Sequence, residues 1–141
     1  MPSTSYKQII LNTSKSFISL LPIILGILLL VSLLNVPFFK NIIMSLFSGN
    51  NILDPLFGSV FGSVLTGNPI TSYIIGGELL RQGVGFLAVT AFILSWVTVG
   101  IVQLPAETKI FGKKFAFLRN AVSFISALVI SALIVFTLYL L

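Results

Sequence analysis

Residues 52–82, ILDPLFGSVFGSVLTGNPITSYIIGGELLRQ, decide the fold of this chain. The segment is as apolar as a membrane helix, but proline and glycine divide it. Asp54-Pro55 is typical of an N-cap followed by the first residue of a helix, and a glycine stop then precedes a second such start at Asn68-Pro69. The pattern predicts two helices, about 55–66 and 69–82, joined by a short corner.

Each of these two helices is too short to cross a bilayer, because about 12–14 residues at 1.5 Å each reach only about 17–21 Å. We predict that residues 52–82 form a re-entrant helical hairpin whose tip, Thr66 to Pro69, reaches toward the membrane centre. Irregular backbone at that depth is tolerated only where it is buried in protein or lines a wet cavity. The plainer alternative is that two short helices pack as ordinary core and that Asn68 is only a helix cap.

Three longer apolar stretches, about 17–34, 83–104 and 121–141, surround this segment and contain no charged residue. At 1.5 Å per residue each is roughly 27–33 Å long, which is enough to span the hydrocarbon core of a bilayer. A cleavable signal peptide is the alternative for the first stretch. No A-x-A-like cleavage site follows it, so we favour an uncleaved span.

The composition of the whole chain indicates a membrane protein. Of its 141 residues, 57% are hydrophobic and 8% are charged, whereas soluble domains contain about a quarter charged residues. We predict an all-α integral membrane fold: a cytoplasmic segment over 1–16, then one membrane domain over 17–141 with three transmembrane helices and the re-entrant hairpin. The chain has no His and no Cys, which excludes thiolate and imidazole catalysis and an ordinary zinc site. We therefore expect no enzyme, no metal and no cofactor.

The distribution of positive charge predicts the orientation. Six Lys and Arg residues lie in the N-terminal segment and in the basic loop 105–120, whereas Lys40 and Arg81 fall on the other side of the membrane. Because cytoplasmic loops carry the excess of Lys and Arg, we expect a multi-pass protein of the cell (plasma) membrane with a cytoplasmic N-terminus. This topology explains the net charge of +5, and we expect no nucleic-acid partner.

The corner of the hairpin carries the candidate binding residues. A helix that starts at Pro69 aims N–H groups and the positive end of its dipole at the corner, and transporters hold substrates at such broken helices. The predicted substrate-binding residues are Gly67, Asn68, Pro69, Thr71, Ser72 and Tyr73, with Ser95 and Thr98 on the opposite wall. Ser95 and Thr98 are equally consistent with bonds to their own helix backbone. Gln103 and Glu107 are predicted to gate the inner mouth or merely to cap it.

Small residues recur at helical spacing in two places. The first set contains Gly58, Ser59, Gly62 and Ser63, and the second contains Ser123, Ala127 and Ser131. We expect both sets to be packing faces for close helix contact. Glu78 and Arg81 are three residues apart on one helix and are expected to form an ion pair near the outer surface.

Three stretches share the pattern of a known family: FGSVLTGNPITSYIIGGELLRQG from Phe61, AFILSWVTVGIVQLP from Ala91, and LRNAVSFISALVISALIV after the basic loop. They resemble one half of the predicted-permease family that includes the organoarsenical efflux permeases. Full-length members contain a related segment twice, so the resemblance implies a half-size member. The arsenical-type members have cysteines at the corner and this chain has none, so the resemblance does not extend to trivalent arsenic. Ser95 to Gly100 also replaces the family's proline-rich break, so a second unwound site is not carried over.

We expect a permease subunit that moves a small solute or ion. One chain has too few helices to enclose a pathway, which predicts a homodimer or a heterodimer with a second half-size chain in the lipid bilayer. The alternative is a non-transporting structural or assembly subunit that uses the two small-residue faces for its partners. A membrane enzyme is disfavoured, because Glu78 and Glu107 lie in different segments with no second carboxylate at catalytic spacing.

Overall fold

A computed structural model of the chain describes residues 6–34 and 36–141. These residues are helical apart from short turns and links, which confirms the all-α fold class. Within them the helices are α1 (Tyr6–Leu34), α2 (Pro37–Leu46), α3 (Leu53–Val64), α4 (Pro69–Arg81), α5 (Phe86–Thr98), α6 (Leu104–Phe111) and α7 (Lys113–Leu140). They belong to two compact units, Met1–Val36 and Pro37–Leu141. Residues 1–5 of the predicted N-terminal segment lie outside the described residues.

The first unit is built on α1, a helix of 29 residues that runs through the first predicted span. Pro22 lies inside this helix, where it removes one backbone N–H from the hydrogen-bond ladder. The second unit opens with α2, which the sequence analysis does not predict. Its first residue is Pro37, at the position where a helix best accepts proline.

The two predicted helices of the hairpin are present as α3 and α4, with bounds within two residues of the prediction. The start of α3 differs because Asn50, rather than Asp54, satisfies its first backbone donors. The Asn50 Oδ1 atom accepts from the N–H of Ile52 at 2.9 Å and of Leu53 at 3.3 Å. The helix therefore begins before the Asp54-Pro55 pair.

Asp54 has a different role from the predicted N-cap. It lies in the first turn of α3, is buried, and accepts hydrogen bonds from the backbone N–H of Ser48 at 3.1 Å and of Gly49 at 2.8 Å. Its carboxylate thus holds the loop that precedes α3. The negative charge also lies near the positive end of the α3 dipole, which is a favourable position.

The contact between α3 and α5 is the main helix contact of the second unit. A Cβ atom on Gly58 would lie 2.4 Å from the carbonyl oxygen of Ala88, and one on Gly62 would lie 2.2 Å from that of Phe92. The two backbones therefore touch, and only glycine fits at either position. Because a step of four residues on α3 matches a step of four on α5, the two helices run parallel. The prediction that this small-residue face serves packing is confirmed.

The other helices of the unit are arranged around α5. Gly76 of α4 contacts the side chains of Val89 and Ile93, and α4 runs antiparallel to α5. Thus α3 and α4 both pack on α5, whereas contacts of comparable extent between α3 and α4 are not found among the described residues. The predicted hairpin is open, with α5 as the shared partner of its two arms.

Helix α7 packs antiparallel to α5. Asn120 near its start contacts Gly100 just after α5, whereas Val135, Leu138 and Tyr139 line a groove with Phe86 at the start of α5. Ala127 and Ser131 are buried, with relative exposures of 1% and 0%. The second small-residue set therefore also serves packing within the chain, as predicted.

Helix α7 is long and apolar enough to cross a membrane, and it is the one such helix found in the described residues. Only 11% of its most apolar window is buried within the chain. The core helix of a soluble protein would instead be mostly buried. This exposure is weak but consistent support for a membrane protein.

Two predicted segments differ from the structure. The stretch 83–104 contains α5, which covers only 13 residues and ends at Thr98. The stretch 105–120 is not an open loop, because α6 and the first two turns of α7 occupy it. Gly112, with a φ of 88°, is the single residue between them, and this positive φ favours glycine.

We predict that Gly62→Ala destabilises the unit strongly, because the new methyl group would overlap a backbone oxygen that moves only with α5. The expected loss is about 1–3 kcal/mol or more, measured as a lower melting temperature of detergent-purified protein by circular dichroism. The control is Gly77→Ala, on an open part of α4 where a Cβ atom meets nothing within 4 Å. Equal melting temperatures for the two variants would contradict the backbone contact.

Candidate functional site: two helix breaks that meet

The first break in the second unit is the link of four residues, 65–68, between α3 and α4. Asn68 is the N-cap of α4, with an extended backbone and a side-chain oxygen that accepts from the N–H of Ile70 at 2.9 Å. Pro69 follows as the first helical residue and has no N–H to satisfy. The predicted cap and proline start are confirmed.

The second break lies between α5 and α6, over residues 99–103. Val99 has an extended backbone, with φ −97° and ψ 115°, and the chain then turns before α6 begins. The uncharged stretch 83–104 predicts an uninterrupted span here, and it lacks the proline-rich break of the permease family that the chain resembles. The helix nevertheless ends, since Val99 leaves the helical conformation and Gly100 follows it, a residue with a low helix propensity.

The two breaks are in direct contact. The hydroxyl of Thr66 donates to the carbonyl oxygen of Val99 at 2.7 Å, across 33 residues of sequence. A Cβ atom on Gly67 would lie 3.5 Å from the Cζ2 atom of the Trp96 ring. The end of α3, the start of α4 and the end of α5 therefore lie together.

Asn120 of α7 holds the second break. Its Oδ1 atom accepts from the N–H of Gly100 at 2.9 Å, and its Nδ2 atom donates to the carbonyl oxygen of Ala116 at 2.9 Å. The same Nδ2 atom lies 3.3 Å from the Oε2 atom of Glu107, which is also ion-paired with Arg119. Asn120 is only 7% exposed, so each of these bonds replaces one that water would make.

The corner lies at the basic end of α7. Asn120 directly follows Arg119 and directly precedes the apolar stretch 121–141, and it bonds the residue next to Val99. The middle of that stretch is about 15 Å further along the helix. The packing therefore places the corner beside the start of α7 rather than beside the middle of its apolar stretch. Since α3 runs parallel to α5 along its length, it carries the corner to the end of the bundle.

The predicted substrate-binding residues fall into two groups. Gly67, Asn68 and Pro69 lie at the corner and are exposed. Of the others, Thr71 is half-buried and Tyr73 is 61% exposed on α4.

Two predicted residues use their hydroxyl groups within their own helix. Ser72 donates to the carbonyl oxygen of Pro69 at 2.7 Å, and Thr98 donates to that of Leu94 at 2.7 Å. For Thr98 this is the alternative considered in the sequence analysis. Ser95 is different, because it is fully buried and its Oγ atom has no partner among the described residues.

The two predicted inner-mouth residues have different surroundings. Glu107 is committed to Arg119 and Asn120, so it holds α6 against α7. Gln103 is exposed as the N-cap of α6 and makes no side-chain cap bond. At the other end of α4, the Glu78 carboxylate pairs with Arg81 at 3.3 Å, which confirms that prediction.

Three residues of the site are missing from the predicted set: Thr66, Trp96 and Asn120. Thr66 lies in the corner itself but looks like one polar residue among several. Trp96 is the single tryptophan of the chain, and Asn120 is an amide at the edge of an apolar stretch. These features mark them as unusual, but the contact that brings them together depends on the packing of α5.

We predict that Thr66→Val separates the two breaks, because the carbonyl group of Val99 loses the hydroxyl that donates to it. The expected destabilisation is about 1–3 kcal/mol, measured by thermal unfolding in detergent. Thr90→Val is the matched control, since the Thr90 hydroxyl donates at 2.7 Å only to Phe86 of its own helix and is exposed. The control should change stability by no more than about 0.5 kcal/mol. A Thr66→Val protein as stable as the control would show that the bond between the breaks contributes nothing.

No protein-family model, no curated protein and no solved structure matches this chain. Its function must therefore follow from the geometry of the two breaks and from the charges around them.

Proposed function

We propose that this chain is a multi-pass membrane protein and one subunit of a permease for a small solute, whose path passes the two helix breaks. The observation that carries the proposal is the contact between links 65–68 and 99–103, joined by the Thr66–Val99 hydrogen bond. Interrupted helices are costly inside a membrane and are tolerated where they line a pathway or are buried in protein. Two interruptions at one level resemble the substrate sites of transporters.

The membrane location is supported by the length and exposure of α7 and by apolar side chains on its neighbours. Large apolar residues are exposed on α3, α4, α5 and α7, for example Val64, Ile70, Val97 and Leu133. An exposed surface of this kind favours lipid over water. We propose three transmembrane spans. Helix α1 crosses the membrane over 17–34, α5 and its flanks cross it over 83–104, and α7 crosses it over 121–141.

The orientation that we propose puts the corner on the cytoplasmic side. Four basic residues, Lys109, Lys113, Lys114 and Arg119, lie on α6 and at the start of α7, beside the two breaks. The positive-inside rule assigns this end of the unit, and the N-terminus of the chain, to the cytoplasm. The turn between α4 and α5 then faces outward.

A second copy or a second half-size chain would complete the pathway. Gly67, Asn68 and Pro69 are exposed, so a solute at the corner would be enclosed only on one side by this unit. The resemblance to one half of the predicted-permease family agrees with such an arrangement, because permeases commonly pair two repeats around one site. We propose a homodimer or a heterodimer on this basis.

The alternative function, a non-transporting structural or assembly subunit, is less well supported than the permease. It relies on the two small-residue faces for partner contacts. Gly58 and Gly62 are occupied by α5, and Ala127 and Ser131 are buried within the chain. A partner would have to use other surfaces, so the permease is the function that the geometry supports better.

We predict that Asn68→Ala reduces transport at least tenfold while the protein stays folded. Purified protein is reconstituted into liposomes, and uptake is measured for phosphate, sulfate, acetate, sodium, glycerol and urea. The matched control is Asn50→Ala, because the Asn50 side-chain oxygen also accepts from backbone N–H groups just ahead of it, before α3 and away from the corner. Each variant loses a local side-chain-to-backbone hydrogen bond worth about 1 kcal/mol, so a difference in transport cannot come from that loss alone. Equal uptake by the two variants, or no uptake of any solute by the wild type, would count against the proposal.

We predict opposite labelling of cysteines placed at Asn51 and Lys109. The chain has no cysteine, so each substitution gives a unique probe. A membrane-impermeant maleimide added to intact cells should label Asn51→Cys, whereas Lys109→Cys should be labelled only after the membrane is permeabilised. Labelling of both sites in intact cells would overturn the single orientation.

A further inference from the structure

The indole nitrogen of Trp96 has no hydrogen-bond partner although it is buried. Trp96 is 5% exposed, and its Nε1 atom is among the buried polar atoms that bond nothing in the described part of the chain. An indole N–H is only a donor, so its partner must supply a lone pair. Leaving such a donor unpaired is unfavourable, and buried tryptophans usually have a partner.

This nitrogen faces the first helix break. A Cβ atom on Gly67 would lie 3.9 Å from Nε1, so Gly67 is next to this nitrogen. Among residues 36–141, the backbone N–H groups of Gly67 and Asn68 also make no hydrogen bond. The side-chain oxygen of Asn68 is used by Ile70, which leaves its amide NH2 group as a further donor.

Two acceptors at the same place are used. The Thr66 hydroxyl hydrogen is shared between the carbonyl oxygen of Ser63 at 2.9 Å and that of Val99 at 2.7 Å. These carbonyl groups belong to the ends of α3 and α5. The start of α4 brings free donors and the positive end of its dipole to the corner, whereas the ends of α3 and α5 bring carbonyl groups and the negative ends of theirs.

The charged side chains near the corner that have no ion-pair partner are all positive. The chain has three acidic residues, and each has a structural partner: Asp54 holds the N–H groups of its preceding loop, Glu78 holds Arg81, and Glu107 holds Arg119. Lys109, Lys113 and Lys114, all exposed, are thus left without a carboxylate of this chain. Such a surplus of positive charge attracts anions to this end of the unit.

We propose that the corner binds a small oxyanion, such as a carboxylate, phosphate or sulfate, and that the Trp96 Nε1–H group donates to it. The backbone N–H groups of Gly67 and Asn68 and the Asn68 amide complete the set of donors. In this structure Gly67 lies beside the indole ring, and the Thr66–Val99 bond holds the link. This inference rests on the proposed function and names the solute class for the same site.

The single tryptophan makes the test direct, because all indole fluorescence of the protein comes from Trp96. Detergent-purified wild type is titrated with potassium phosphate, sulfate and acetate at constant ionic strength in potassium chloride, with glycerol as the neutral control. We expect a saturable change in fluorescence with at least one oxyanion and none with glycerol. Fluorescence that is unchanged by all three oxyanions would overturn the inference.

Two variants test the geometry. Gly67→Ala puts a methyl group in ordinary contact with the indole, between the ring and an incoming ion, and Gly77→Ala is the matched control on open helix surface. We expect Gly67→Ala to bind the oxyanion at least tenfold more weakly and Gly77→Ala to bind it like the wild type. Both variants retain Trp96, so fluorescence reports on both. Equal affinities for the two would overturn the site.

Trp96→Phe tests the donor itself. It keeps an aromatic ring beside Phe92, whose ring centroid lies 5.5 Å from that of Trp96, and removes the N–H group. Because the variant has no tryptophan, its binding is measured from the rise in melting temperature with anion concentration. A hydrogen bond to a charged group implies a loss of about 10- to 150-fold in affinity. Unchanged stabilisation by the anion would remove Trp96 from the site.

The liposome experiment distinguishes this inference from the proposed function. Saturable oxyanion binding without transport of any solute would support the site and overturn the permease. Transport of a neutral solute or a cation without oxyanion binding would support the permease and overturn the solute class. Binding and transport of the same oxyanion, both weakened by Gly67→Ala, would support both.

Discussion

The contact between the backbones of α3 and α5 is the constraint on which the rest of the second unit depends. Gly58 and Gly62 each bring α3 so close to α5 that a single added methyl group would overlap a carbonyl oxygen. Small residues at such contacts let helices approach closely where burial of apolar surface from water contributes little. The two glycines also set the register, and a parallel register carries the ends of α3 and α5 to the same level. The two breaks meet for that reason.

Each helix end creates backbone groups without helical partners, and the chain satisfies many of them with polar side chains. Asn68 caps the start of α4, and Asn50 accepts from a backbone N–H group that leads into α3. Thr66 and Asn120 act over longer distances, because one joins the link after α3 to the end of α5 and the other joins the residue after α5 to α7. Most of the polar residues at this end of the unit therefore have a structural task. Trp96 and Ser95 differ, because their buried side-chain polar atoms have no hydrogen-bond partner in the described part of the chain.

The scarcity of acidic residues has a consequence for the electrostatics of the whole unit. All three carboxylates are used to hold a loop, a helix end or a neighbouring helix, so the lysines of α6 and α7 keep their charge uncompensated within the chain. The same residues predict the orientation in a membrane and raise the concentration of anions near the corner. Topology and the proposed solute preference thus have one physical source.

The sequence by itself determined the features that depend on neighbours along the chain. The presence of α3 and α4, the Asn68 cap with Pro69, the Glu78–Arg81 pair and the packing role of the small residues follow from local spacing. The tertiary structure decided the end of α5 at Thr98, the position of the corner at the basic end of α7 and the meeting of the two breaks. These depend on bonds between residues far apart, 33 positions from Thr66 to Val99 and 20 from Gly100 to Asn120. Local patterns carry no information about such pairs, because their energies exist only once α3, α5 and α7 have packed.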